Sequence, residues 1–354
     1  MTVGSFTSDW FCLTIFGLCD YPAVTPYTVP FPSPKTNKTR PAVSGETPIQ
    51  IVHFSDVHVD LSYEVGANYN CSDNICCRAY TAAQGLGNTS YPAGPWGNHN
   101  CDAPFDLEKS LYAAIQEIVP NAALTLFTGD VRILKMTNLT LVYGVVGNHD
   151  INPINSFPPS DINTTISSQY TYDALSALWT TWIGSTAAAT AATNPGAYSV
   201  VYPGGNLRII SLNTMMYYKD NFWLFEATME TDPSGQLAWL VDEFQAAEDA
   251  GHTHKDEFQI AYSKYTDQTA DTAVGVLYIA PALTPTSGNP AFRVYDVDPV
   301  TFAVLDMTEY ITNMSTSTYQ TDGPVWEKYY TVKEAYGPLM TPPSTSRTDP
   351  GLLA

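Results

Sequence analysis

Positive charge is scarce in this chain: 15 Lys and Arg stand against 35 Asp and Glu, a formal net charge of -20. A surface of that sign repels phosphate backbones and anionic bilayers, because binding to either is built from basic side chains that displace counterions. Nucleic acid is therefore excluded as an expected partner, and the acidity itself is read as a solubility device. Long apolar runs are missing too. No stretch reaches the roughly 18 consecutive apolar residues of a membrane span, so no transmembrane segment is expected. Histidine and cysteine number only six each, so places where they gather carry information.

What is present points to a folded, exported protein. The chain has 354 residues and is 44% hydrophobic, enough for one large domain or two modest ones. Six Asn-x-Ser/Thr sequons begin at Asn37, Asn70, Asn88, Asn138, Asn163 and Asn313 and favour the secretory pathway. Cys71, Cys76, Cys77 and Cys101 crowd one loop rich in Asn, Gly and Pro. In an oxidising compartment such a group reads as two disulfides stapling a loop with little core of its own. The alternative, a zinc-cysteine site, is disfavoured by the Cys76-Cys77 adjacency, which lacks Cys-x-x-Cys spacing.

Residues 21–48 are rich in Pro, Thr and Ser and read as a linker. After it come β-rich runs that end in polar residues: Ile49 to Phe54 before Ser55-Asp56, Ala122 to Phe127 before Thr128-Gly129-Asp130, and Leu141 to Val146 before Gly147-Asn148-His149-Asp150. An α/β sheet places its chemistry in this way, just past the carboxyl ends of its strands. Leu207–Leu212, Val274–Ile279 and Phe302–Ile311 are further expected strands. The clearest helix is capped by Asp232 with Pro233 in its first turn, and carries Leu237, Leu240, Val241, Phe244 and Ala247 on one apolar face. The Thr186–Thr193 run of Ala and Thr is given no role. His53, inside a strand, reads as a satisfied structural residue, and His99 as solvent-facing.

The chemistry lies in four ordered blocks: Asp56-Val-His58, Gly129-Asp130, Gly147-Asn148-His149 and Gly251-His252-Thr-His254. Each offers hard oxygen or borderline nitrogen donors of the kind divalent cations prefer. Two such cations a few ångströms apart need a carboxylate between them, and a bridging hydroxide can then attack phosphorus in line with the leaving oxygen. Asp130 is the candidate bridge. Asp56, His58 and His254 complete one metal, and Asn148 and His252 hold the other. His149, beside a ligand but not one itself, is placed to protonate the departing alkoxide as general acid.

These blocks resemble those of calcineurin-like metallophosphoesterases, and their surroundings narrow the resemblance to acid sphingomyelinases, the secreted or lysosomal sphingomyelin phosphodiesterases. Phe54-Ser-Asp-Val-His-Val-Asp60, the Cys71–Arg78 loop, Val145-Val-Gly-Asn-His-Asp-Ile-Asn-Pro-Ile-Asn-Ser-Phe-Pro-Pro159, Leu207-Arg-Ile-Ile-Ser-Leu-Asn213 and His252-Thr-His-Lys-Asp-Glu257 carry it. The resemblance implies an α/β fold, a metallophosphoesterase β-sandwich flanked by helices over 49–312, with part of its second half missing. It also implies two zinc ions on Asp56, His58, Asp130, Asn148, His252 and His254, and hydrolysis of sphingomyelin to ceramide and phosphocholine. Disulfides would pair Cys71 with Cys76 and Cys77 with Cys101. Asn155 would line the substrate side, and the protein would be secreted or reside in a lysosome- or vacuole-like compartment. Ile133 stands where purple acid phosphatases have an iron-binding Tyr, which favours redox-inert zinc.

The match has gaps. A further family ligand, a His in a Gly-His-x-Pro block, is absent, and the helix ending near Asp249 runs directly into Gly251, which puts the second metal in question. A shorter segment follows Asp130, so deletions are expected near 131 and 251. Residues 1–20, with Cys12 and Cys19, resemble the remnant of a saposin-like domain whose partner cysteines are missing, and 313–354 a shortened C-terminal region. Two alternatives to a sphingomyelin phosphodiesterase follow. One is a catalytically impaired splice or gene-model remnant, the other a phosphodiesterase of the same fold acting on other lipid or nucleotide phosphodiesters.

Overall fold

The computed structural model describes residues 2–20, 32, 41–130, 139–226, 231–249, 260–262, 273–276 and 278–337. Most of the Pro-rich linker, Ile133, His252, His254 and the tail from Pro338 lie outside the described residues. In chain order the elements are α1 (Phe6–Phe11), β1 (Ile49–Phe54), α2 (Phe105–Ile118), β2 (Leu124–Phe127), β3 (Val142–Gly144), α3 (Gln169–Thr193), β4 (Tyr198–Val201) and β5 (Arg208–Ser211). They continue with α4 (Gln236–Asp249), β6 (Ile260–Tyr262), β7 (Ala273–Val276), β8 (Ala291–Val297), β9 (Val304–Thr312), α5 (Tyr319–Asp322), β10 (Trp326–Thr331) and α6 (Val332–Tyr336).

Six strands form one mixed sheet in the order β10-β9-β8-β1-β2-β3, and β4-β5 and β6-β7 form two-stranded pairs. This is the expected mixed α/β fold of the metallophosphoesterase type. The chain divides into two compact units, Met1–Thr39 with Tyr143–Thr253, and Arg40–Val142 with His254–Ala354.

In the second of these units β1 is the central strand, parallel to β2 and antiparallel to β8. A strand enclosed on both faces needs a near-continuous apolar run, and Ile51, Val52 and Phe54 supply it. His53 can sit among them because both ring nitrogens are satisfied, Nδ1 at 2.9 Å from Tyr295 Oη and Nε2 at 3.2 Å from Thr128 Oγ1. The structural reading of His53 holds, and His99 is exposed as expected. Helix α2 buries Leu107, Leu111, Ala114 and Ile115 at helical spacing. Its Tyr112 ring lies 6.1 Å from that of Phe54. The parallel register pairs Phe54 with Phe127, so the polar residues after β1 and β2 leave the sheet side by side. That register is what positions the site.

The first unit is built around aromatic packing: Trp179 on Tyr198 and Phe157 on Tyr172. Tyr198 donates to the Gly144 carbonyl at 2.8 Å, and a Cβ at Gly144 would meet the Trp179 indole nitrogen at 2.6 Å, so only glycine fits there. The Ala/Thr run given no role is the end of α3, past a break at Gly184, and buries Ala187, Ala188 and Ala191. Asp232 accepts from the Leu237 and Ala238 amides at 2.8 and 3.0 Å, as its capping role requires. Pro233, however, lies in a separate turn, because Ser234 at φ 60° interrupts the helix before Gln236. Phe244 departs from the expected apolar face and is exposed, whereas Val241 and Ala247 are buried. Cys12 and Cys19 do not lack partners: they are bonded to each other, closing the short turn after α1.

Candidate metal centre

Asp56, His58 and Asp130 meet in the second unit. Nε2 of His58 is 3.1 Å from Asp130 Oδ2 and 3.6 Å from Asp56 Oδ1. Sequence places these residues 72 or more positions apart or two apart along an irregular segment; the β1/β2 register brings them together. The backbone there is held from several sides. The Asp56 amide donates to the Gly129 carbonyl at 3.3 Å, and the Asp56 carbonyl accepts from the Thr284 amide at 2.9 Å. Ser55 Oγ donates to Asp56 Oδ2.

All three side chains stand on residues with left-handed backbone: Asp56 at φ 48°, His58 at φ 35° and Asp130 at φ 63°. Non-glycine residues rarely adopt that region, and each instance costs on the order of 1–3 kcal/mol unless its surroundings over-determine it. Three together, on the three residues whose donors converge, mark a place where side-chain direction has been favoured over backbone comfort.

The electrostatics agree. Burial alone would lower the pKa of His58, but hydrogen bonds to Asp130 and Asp56, and the charges of Asp130 and Asp102, raise it to about 10. Burial likewise opposes ionisation of Asp56, yet hydrogen bonds from His58 and Ser55 hold its pKa below the ordinary value. The pocket is therefore a focus of negative potential that stabilises positive charge. His58 and Asp130 belong to a His/Asp group able to hold a metal ion. Imidazole nitrogen with carboxylate oxygen is a donor set that fits zinc, and differs from the all-oxygen cages preferred by calcium. Asp56 also opens onto a cavity of about 610 Å³ lined by Thr284, Asn289, Glu309, Asn313 and Tyr329, a volume in the range of small-molecule sites.

The other expected residues divide into three groups. Asn148, His149 and Asn155 follow β3 in the first unit, where Asn148 Nδ2 donates to Asn155 Oδ1 at 2.9 Å and His149 is exposed. His252 and His254 lie outside the described residues. The crowded cysteines are disulfides, Cys71 with Cys76 and Cys77 with Cys101, so the zinc-cysteine alternative is overturned. The structure adds one acidic residue that the sequence does not single out, Asp102, whose Oδ1 is 3.9 Å from His58 Nδ1. No spacing rule announces it, and its adjacency to Cys101 was the one available sign.

No protein-family model matches the chain. It is 31% identical to the sphingomyelin phosphodiesterase of Homo sapiens over 356 residues, which cover 81% of this chain and 55% of that protein. It is 29% identical to sphingomyelin phosphodiesterase B of Dictyostelium discoideum, covering 95% of this chain and 62% of that one. Against a cyclic GMP-AMP phosphodiesterase of Rattus norvegicus the identity is 26%, over 92% of this chain and 82% of the relative. The chain thus spans little more than half the length of the human protein it matches.

Proposed function

Because this chain belongs with the acid sphingomyelinase-like phosphodiesterases, we propose that it is a metal-dependent phosphoric diester hydrolase acting on a sphingomyelin-type lipid. The convergence of Asp56, His58 and Asp130 on left-handed backbone is the observation that carries this reading. Zinc, when bound, would neutralise the phosphodiester and activate water for in-line displacement. Asp130 would be shared between two ions, Asp56, His58 and His254 would hold one, and Asn148 and His252 the other. His149 would donate the proton that lets the ceramide alkoxide leave as an alcohol, leaving phosphocholine. Asn155 would orient the substrate beside Asn148. Three disulfides and six sequons support an oxidising, secretory location, outside the cell or in a lysosome-like compartment.

A second reading has its own support: similarity to a cyclic GMP-AMP phosphodiesterase raises nucleotide phosphodiesters as substrates on the same ligands. The net charge of -20 argues against them, since nothing in the composition attracts a polyanion. The decisive experiment measures phosphocholine release from sphingomyelin micelles and hydrolysis of cyclic dinucleotides on one zinc-loaded sample. Lipid turnover that His149→Ala abolishes supports the proposal, and faster dinucleotide turnover favours the second reading. If zinc binds but neither substrate is cleaved, the chain is the impaired remnant that the missing Gly-His-Pro block suggests.

A further inference from the structure

His58 offers one ring nitrogen to the candidate centre and turns the other away from it. Nε2 faces Asp130 and Asp56, at 3.1 and 3.6 Å, while Nδ1 faces Asp102 at 3.9 Å. We propose that Asp102 is a positioning residue for this centre: its carboxylate, anchored by the Cys77–Cys101 disulfide, fixes the ring of His58 so that Nε2 is presented to a divalent cation. The inference rests on the metal-centre reading above and extends it to a residue in a different loop.

The backbone around Asp102 is fixed on both sides. Its predecessor, Cys101, is buried, bonded to Cys77, and donates its amide to the Asn98 carbonyl at 3.0 Å. Its successor, Ala103, donates its amide to the His58 carbonyl at 3.1 Å and accepts from the Asp60 amide at 2.9 Å. Val59 and Ala103 form a parallel bridge. Asp102 is therefore carried on a segment tied covalently to the cysteine loop and hydrogen-bonded to the peptide of the histidine that it faces. The separation of 3.9 Å is that of an ion pair, and a movement of about 1 Å brings it to hydrogen-bond length.

The physics of a metal-bound imidazole gives this geometry its purpose. A neutral histidine ligates through one nitrogen only when the proton sits on the other, and an acceptor opposite the metal selects that tautomer, fixes the ring plane and raises ligand basicity. Without the acceptor the ring samples other orientations, and affinity falls by about 10–100-fold in comparable sites. The disulfide then has a role beyond stapling a loop, because it keeps that acceptor in place.

The test is a zinc competition titration with a chromogenic chelator on the full chain, comparing wild type, Asp102→Asn and Asp102→Ala. Asp102→Ala is expected to weaken zinc binding by about 10–100-fold. Asp102→Asn, which keeps an acceptor oxygen but loses the charge, is expected to fall between. The unfolding midpoint of the zinc-free proteins separates positioning from simple stability: positioning lowers zinc affinity at an unchanged midpoint. Should Asp102→Ala fail to fold, the near-isosteric Asp102→Asn decides. Equal zinc affinity in all three proteins overturns the role of Asp102 while leaving the metal centre intact. A wild-type chain that binds no zinc overturns the metal-centre reading, and this inference with it.

Discussion

Arg78 grips Asp60 in a bidentate pair, Nε to Oδ2 at 2.7 Å and Nη2 to Oδ1 at 2.8 Å, with the carboxylate almost wholly removed from solvent. Asp60 ends the segment that carries Asp56 and His58, and Arg78 follows the Cys76-Cys77 pair, so this contact joins the cysteine loop to the ligand-bearing strand end. Removing one partner leaves a buried charge uncompensated, which typically costs about 3–5 kcal/mol. Arg78→Ala is expected near the lower limit, since the guanidinium is partly exposed. Arg78→Lys should recover only part of the loss, because an ammonium cannot make the planar two-point contact. Denaturant midpoints of the three proteins give the comparison.

The 3.1 Å approach of Asp130 to His58 leads to a prediction about the metal. Asp130→Asn removes the charge of the proposed bridging carboxylate and leaves its shape, so the fold should survive while zinc is lost. The affinity loss should exceed the about 10–100-fold typical of residues one shell further out. Chelation of the wild type should abolish turnover, and added zinc should restore it. Retention of full zinc stoichiometry by Asp130→Asn would remove Asp130 from the ligand set.

The sequence made the strands that end in ligands legible, and the reason is physical. Ile49–Phe54 and the run ending at Phe127 are apolar stretches closed by Ser-Asp and Thr-Gly-Asp, and both form strands whose polar ends converge. Less legible were β8 and β10, whose charged residues interrupt the apolar pattern: β10 is an edge strand of the sheet, and interior β8 pairs its charge across the sheet, Arg293 with Glu309. The second half of α3, past Gly184, was hidden by low complexity, since Ala and Thr give a helix with little contrast between its faces. Positive φ at Asp56, His58 and Asp130 has no sequence signature at all. Nor has Asp102, which is brought to His58 by the Cys77–Cys101 disulfide and by the backbone contacts of Ala103 with His58, Val59 and Asp60.

Asp298 predicts a stability effect remote from the site. It is fully buried in the turn between β8 and β9, and accepts from the Ser44 amide and hydroxyl at 2.7 and 2.6 Å and from the Thr301 amide and hydroxyl at 2.7 and 3.0 Å. Burial works to raise its pKa, but the bonds from Ser44 and Thr301 hold the carboxyl far below the ordinary range. Asp298→Ala strands these donors, at about 1–3 kcal/mol for each one left buried without a partner. The expected result is a clearly lower melting temperature with zinc affinity unchanged. Enhanced amide exchange should be centred on residues 298–303 and on Ser44.

His53 sets the sign of one part of the pH dependence. Burial, and then the nearby charge of Arg293, lower its pKa from 6.5 to about 3. Its ring nitrogens meet Tyr295 of β8 and Thr128 just past β2, and the nearby Arg293 is itself paired with Glu309. Between pH 3 and 6.5 the unfolded chain binds a proton at this position that the folded chain does not. Stability must therefore fall as pH drops below 6.5, with a limiting slope of about 1.4 kcal/mol per pH unit for this one group, and be insensitive to it above. The His53 imidazole is expected to stay neutral in the folded protein down to about pH 3, so mild acid weakens the fold without charging this position. His53→Gln, which keeps polar contacts but cannot titrate, should flatten the stability curve between pH 4 and 6.5 relative to wild type, while both curves run parallel above. Parallel curves across the whole range would mean that His53 is protonated in the folded state, and that the strand tolerates a charge between Tyr295 and Thr128.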